Sequence, residues 1–146
     1  MGPITAMEES IRKEHQNNCH LFLSFQKFLA EQHFDWLRLM ISSDRKSLIG
    51  KGILDVNGKN YEILISYSPF NKFRYDRIYI NDYKIKFHRD IHLYYDLSLC
   101  LYHPLIDQIA FKKINLFEMI PWISEWIVFY EQWKKYGVWL GKEIKH

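Results

Sequence analysis

The Asn57-Gly58 dipeptide is the feature that most constrains the fold of this chain. It separates two runs rich in β-branched and aromatic residues, at positions 49–56 and 61–67. Asn-Gly is typical of the two-residue turn of a β-hairpin, because both central residues of that turn need a positive φ. Alternate residues of the second run share one apolar face of the strand, namely Tyr61, Ile63, Ile65 and Tyr67. The sequence therefore predicts an antiparallel hairpin with one buried side.

Short apolar runs on both sides of the hairpin extend the predicted sheet. Residues 36–41 form a candidate strand before it, and residues 77–80 form another after it. Residues 83–87 are one more candidate strand. Together these segments predict an antiparallel meander.

Helical periodicity marks the first thirty or so residues. Asn17 and Asn18 are candidate caps for this helix, and Gln26 is predicted to fall among its polar positions. The predicted apolar stripe has spacings of three and four and consists of Leu21, Phe22, Phe25, Phe28 and Leu29.

A second helix is predicted after Asn115, with Pro121 in its first turn and Gly137 at its end. Its aromatic stripe has helical spacing, which favours a core role over base stacking: Trp122, Trp126, Tyr130 and Trp133. The order of helix, antiparallel sheet, irregular segment and helix predicts an α+β fold.

Composition narrows the class of protein. A chain of 146 residues with 48% hydrophobic residues predicts one domain over residues 1–146 with a sizeable core. Two cysteines are too few for a disulfide scaffold, and neither a signal pattern nor a membrane-spanning run is visible, so we expect a cytoplasmic protein with free thiols. A net charge of +3 is weak evidence for a nucleic-acid partner, and basic pairs such as Arg74 and Arg77 are predicted to lie on a solvated surface.

The two cysteines differ in their surroundings. Cys19 lies beside a helical apolar stripe and is predicted to be packing. Cys100 lies in a non-periodic segment, 91–104, where spacing alone favours a core position and a nucleophile is the alternative. A zinc site is a further alternative, because four possible ligands lie close in sequence: His88, His92, Cys100 and His103.

Residues 92–104, with the sequence HLYYDLSLCLYHP, resemble the active-site segment of bacterial E2-like proteins, which have the ubiquitin-conjugating-enzyme fold. The resemblance continues in residues 120–122, Trp126 and residues 130–133. Residues 137–143 together with His146 are similar to the Gly-x-Trp-x-Gly-x-Glu…His close of E2-like proteins from short type II CBASS antiphage operons.

This resemblance implies one E2-like domain with an N-terminal helix, a four-stranded antiparallel meander, an active-site Cys loop and C-terminal helices. It implies that Cys100 is the thioester-forming cysteine, and that His92 and Tyr94 match a His-x-Tyr pattern of the bacterial family. Eukaryotic E2 enzymes carry a His-Pro-Asn motif upstream of the cysteine, and here His92 occupies the position of its Asn. A histidine can donate a hydrogen bond to an oxyanion, act as a base or support the loop.

The activity that the resemblance implies is acyl transfer through a Cys100 thioester to an amine. The implied partner is a cGAS-like nucleotidyltransferase, whose C-terminal glycine supplies the acyl group. No cofactor is expected, and no Gly-rich phosphate loop is visible with which this chain could itself activate a carboxylate with ATP, so the route of activation stays open. A non-catalytic E2-fold binding module and a small zinc-binding protein are the alternatives.

Overall fold

The computed structural model describes residues 3–102 and 115–141. Two helices, α1 (Pro3–Asn17) and α2 (Cys19–His33), precede the strands β1 (Leu37–Ile41), β2 (Leu48–Val56), β3 (Lys59–Tyr67) and β4 (Asp76–Ile80). A single 3-10 turn, Arg89–Ile91, and the helix α3 (Leu116–Tyr136) follow. The predicted α+β class is confirmed.

The four strands form one sheet in the order β1-β2-β3-β4, with every neighbouring pair antiparallel. The predicted hairpin is confirmed: Val56 pairs with Lys59, and Asn57 and Gly58 have φ values of 54° and 81°. The face of β3 that was predicted to be apolar is buried along its whole length, from Tyr61 to Tyr67. The meander therefore has one side in the core and one side turned outward.

The strand predicted at 83–87 is wrong. The backbone N–H of Asn81 still donates to the carbonyl of Glu62, but the chain then turns away from the sheet. Asp82 causes this turn, since its side chain accepts from the N–H of Lys84 and its carbonyl accepts from the N–H of Ile85. Such local hydrogen bonds offer the backbone an alternative to the sheet ladder.

The N-terminal region forms two helices rather than one, and its predicted apolar stripe is largely wrong. Asn18 separates α1 from α2, and its side chain donates to the carbonyl of Glu14 instead of capping α2. The face of α2 that packs toward β1 and α3 carries Cys19, Leu23, Gln26 and Ala30. Three predicted core residues are exposed by more than half, namely Leu21, Phe25 and Phe28. Periodicity detected the helix but not which of two apolar faces the sheet would cover.

The aromatic stripe of α3 packs on the core as predicted, with Trp126 and Tyr130 buried. Gly137 ends the helix with a φ of 75° and donates its N–H to the carbonyl of Trp133. Pro121 was expected in the first turn but lies inside the helix, because α3 already begins at Leu116. Among the described helices, none combines the length and the apolar character that crossing a membrane requires.

Candidate active site

The Cys100 segment lies along the edge of β4 that β3 leaves open. Leu99 donates its backbone N–H to the carbonyl of Ile78 over 2.8 Å. Leu93 and Leu99 form an isolated antiparallel bridge, and Cys100 donates its N–H to the carbonyl of His92 over 2.9 Å. These bonds fix the backbone on both sides of the cysteine, so Cys100 belongs to an anchored segment.

The tip of this segment, residues 94–98, is closed by its own hydrogen bonds. Tyr94 donates its N–H to the carbonyl of Ser98, and Leu97 donates to the carbonyl of Tyr94, each over 2.9 Å. Asp96 accepts from both the N–H and the hydroxyl of Ser98, at 2.9 and 2.6 Å. Leu97 has a φ of 72°, a conformation that is uncommon for a bulky residue and needs such support.

His92 anchors the start of the segment through its backbone. It has the left-handed φ and ψ of 54° and 56°, a region in which His, like Asn, is enriched. Its carbonyl accepts from the indole N–H of Trp126 over 3.1 Å as well as from Cys100, and its ring lies 4.9 Å from that of Trp139. Trp126 and Trp139 thus hold the start of the Cys100 segment.

The side chains of Cys100 and Tyr94 are brought together, and the Cys100 side chain contributes to raising the pKa of Tyr94. Both also lie against the carbonyl oxygen of Tyr102, which is 3.6 Å from the Cys100 Sγ and 3.5 Å from the Tyr94 hydroxyl. Cys100 itself is buried, with 2% of its surface exposed. A phenol that donates to sulfur favours the thiolate, whereas burial opposes it.

Tyr94 is a proton donor in this site. Burial, followed by the Cys100 side chain, raises the pKa of Tyr94 far above its ordinary value. The nearby Arg74 opposes this rise without reversing it. Tyr94 therefore keeps its proton at neutral pH and does not serve as a base for the thiol.

Arg74 is the residue of the site that sequence reasoning missed. It was predicted to lie on a solvated surface, but only 6% of it is exposed. Its guanidinium carbon lies 3.4 Å from the centroid of the Tyr94 ring, and its Nη1 lies 3.2 Å from a carboxylate oxygen of Asp76. Alternation along β4 places Asp76 on the same buried face as Ile78 and Ile80, and a buried carboxylate needs a cation. An acidic residue at an inward position of β4 was therefore the sequence signal that could have predicted a buried cation nearby.

The zinc alternative gains no support within residues 3–102 and 115–141, where no three potential ligands are grouped for a metal. His88 accepts from the N–H of Asp90 and lies 4.9 Å from the Trp133 ring, whereas His92 lies against a different tryptophan. The fourth proposed ligand, His103, lies outside the described residues.

Cys19 has the packing role that its spacing predicted. It is buried at the start of α2. Burial, and then the charge of Asp44, raise the pKa of its thiol, so Cys19 stays protonated at neutral pH. The Cys100 thiol, by contrast, lies beside the phenol of Tyr94.

A comparison with known protein families matches most of this chain to one family model. The family model described as Type II CBASS E2 protein matches residues 26–146. The matched range contains the whole sheet, the Cys100 segment and α3, and it begins within α2. A search of curated proteins gives no match to the chain.

Proposed function

This chain belongs to the type II CBASS E2 family, and on that premise we propose that it is an acyltransferase of antiphage defence with Cys100 as its nucleophile. The observation that carries the proposal is the proximity of the Cys100 thiol and the Tyr94 hydroxyl, which both lie against the carbonyl oxygen of Tyr102 within an anchored segment. A thiol nucleophile needs a neighbour that stabilises its negative charge, and Tyr94 is such a donor.

The first step forms the thioester. The Cys100 thiolate attacks the carbonyl carbon of an activated C-terminal glycine, so that an S–C bond forms and the bond to the activating group breaks. The activating group is an adenylate or another thiol, supplied by an ATP-dependent protein, and the thiol proton passes to water. Tyr94 stabilises the sulfur charge before the attack.

The second step transfers the acyl group to an amine, such as a lysine side chain. The amine nitrogen attacks the thioester carbonyl, an amide bond forms, and the C–S bond breaks to release the Cys100 thiolate. The amine proton passes to water. We assign His92 as the hydrogen-bond donor to the oxyanion of this step, because its backbone is bonded directly to Cys100.

The acyl donor in this proposal is the C-terminus of a cGAS-like nucleotidyltransferase. The family supports a protein partner within the CBASS system. The surface beside Cys100 suits an extended apolar tail, since Tyr95 is 90% exposed and Leu97 is 40% exposed at the tip of the segment.

A non-catalytic binding module is the second candidate, and the burial of Cys100 favours it. Only 2% of Cys100 is exposed, and an acyl group reaches the sulfur only if the segment opens. In the catalytic proposal the docked partner opens it. In the alternative the same surface binds a partner and Cys100 remains a core residue.

Intact mass spectrometry tests the proposal. The full chain is co-expressed with the proteins encoded beside it, then measured with and without reductant. We expect an adduct that reductant removes, that Cys100→Ala abolishes and that the matched Cys19→Ala variant retains. An adduct that persists in Cys100→Ala contradicts the proposal. A stable complex without any adduct in the parent protein establishes the binding module instead.

A further inference from the structure

Behind Tyr94 lies a buried ion pair whose two side chains both contact the Cys100 segment. Arg74 Nη1 donates to Asp76, whose side chain is completely buried, and Arg74 Nη2 donates to the hydroxyl of Ser98 over 3.0 Å. The hydroxyl of Tyr102 donates to the second oxygen of Asp76 over 2.6 Å. The pair thus touches Ser98 and Tyr102, which lie two residues before and after the cysteine.

The contact with Tyr94 has the geometry of a cation–π interaction at short range. The guanidinium lies over the ring face at 3.4 Å, and burial excludes the water that weakens such contacts at a surface. A cation on the ring draws electron density from the phenol, and this makes its O–H a stronger donor. The Tyr94 hydroxyl and the Cys100 Sγ lie against one carbonyl oxygen, that of Tyr102, so the strengthened donor lies beside the thiol.

A contribution to stability does not by itself explain the pair. Buried ion pairs are often no more stabilising than well-packed apolar residues, because desolvation offsets the attraction of the charges. The Arg74 cation nevertheless lies on the Tyr94 ring and orients it, and an apolar residue in its place would supply no charge to that ring.

We propose that Arg74, held by Asp76, is a positioning residue that keeps the Tyr94 hydroxyl on the Cys100 sulfur and so sets the reactivity of that sulfur. The inference deepens the proposed function and rests on it for its catalytic meaning. Besides Tyr94, the ionisable side chains described in and beside this network are His92, Asp96 and Tyr102 from the segment, and Arg74 and Asp76 from the chain entering β4. From α3 the segment contacts Trp122 and Trp126, neither of which has an ionisable group.

Titration of the two cysteine thiols by NMR tests the proposal without any partner. The full chain carries 13C-labelled cysteine, and Cys19→Ala assigns the two signals. We expect Arg74→Lys to raise the titration midpoint of Cys100 by about one pH unit and to leave that of Cys19 unchanged. Tyr94→Phe is expected to raise the Cys100 midpoint as well, and Arg74→Lys is expected to add little in the Tyr94→Phe background.

An equal Arg74→Lys shift in the presence and absence of the Tyr94 hydroxyl overturns the proposal, and so does no shift at all. If Arg74→Lys does not fold, the double variant Arg74→Gln with Asp76→Asn, which removes both charges together, takes its place with the same expected shift. The exposed Arg38→Lys serves as a matched control without effect. A Cys100 shift in a protein that forms no adduct upholds the positioning role and contradicts the proposed function, so the two failures are distinct.

Discussion

The side chain of Gln26 caps the N-terminus of α3, because its carbonyl oxygen accepts the backbone N–H of Leu116 over 2.9 Å. Its amide nitrogen donates to the side chain of Asn115, the residue that precedes the helix, over 2.8 Å. Gln26 is buried with 1% of its surface exposed. One polar side chain therefore joins two helices that are about ninety residues apart in sequence.

Gln26→Ala is expected to lower the free energy of unfolding by about 1–3 kcal/mol, because it leaves the buried N–H of Leu116 and the half-buried side-chain oxygen of Asn115 without their partner. Urea unfolding followed by tryptophan fluorescence measures this change. The exposed Gln32→Ala on the same helix is the matched control and is expected to change it by less than about 0.5 kcal/mol. Equal effects of the two substitutions would show that the Gln26 cap does not contribute to the free energy of unfolding.

Substitutions of His92 separate its side chain from its backbone, whose bonds to Cys100 and Trp126 every variant retains. His92→Ala is expected to slow acyl transfer from a preformed Cys100 thioester by roughly 100-fold, the effect of losing one oxyanion donor. His92→Asn is expected to stay within about tenfold of the parent, since Asn both donates and tolerates a left-handed backbone. Single-turnover assays with an added amine measure both rates, and a matching loss in the two variants points to a proton-accepting role instead.

Trp126→Phe is expected to expose Cys100 more often, because it removes the indole donor from the carbonyl of His92. The loss of a hydrogen bond worth roughly 1 kcal/mol raises the population of the open segment about fivefold. Alkylation of Cys100 in a Cys19→Ala background measures this change as a faster rate. Trp36→Phe, at the opposite end of the sheet, should leave the rate unchanged, and an unaltered rate in Trp126→Phe would mean that this bond does not hold the segment.

Asp96 makes the tip of the segment sensitive to acid. Burial raises the pKa of its carboxyl, but the hydrogen bonds from Ser98 and the charges of Arg74 and Arg77 outweigh burial, and the pKa lies below the ordinary 3.8. A carboxyl with a lowered folded-state pKa stabilises the protein above its unfolded pKa and loses that contribution as the pH falls through the folded value.

Asp96→Asn is therefore expected to destabilise the protein at pH 7, and this penalty is expected to shrink as the pH falls below the ordinary pKa of 3.8 and the parent carboxyl takes up a proton. Urea midpoints of parent and variant at neutral and at acidic pH give the comparison. The exposed Asp35→Asn is the control, with no difference expected at either pH. A penalty for Asp96→Asn that is as large in acid as at neutrality would mean that geometry, not charge, is responsible.

Local chemistry in the sequence predicted the elements that depend on only a few neighbours. Asn57 and Gly58 specify their turn because of the backbone angles that they permit, and Gly137 ends α3 for the same reason. Cys100, His92 and Tyr94 were selected by resemblance, and the structure brings them together: Tyr94 and Cys100 lie against one carbonyl oxygen, and the backbones of His92 and Cys100 are hydrogen-bonded. Their catalytic roles remain predictions.

The sequence by itself thus determined the hairpin, the helix α3 and the segment that carries Cys100. Only the tertiary structure decided which face of α2 is covered, and it placed Gln26 inside and Phe25 outside because packing against β1 and α3 outweighs periodicity. It also decided that Arg74 is a buried partner of Tyr94, since a cation leaves the surface only where a folded chain supplies a carboxylate to receive it. Burial and pairing are properties of the assembled fold, and no short stretch of sequence contains them.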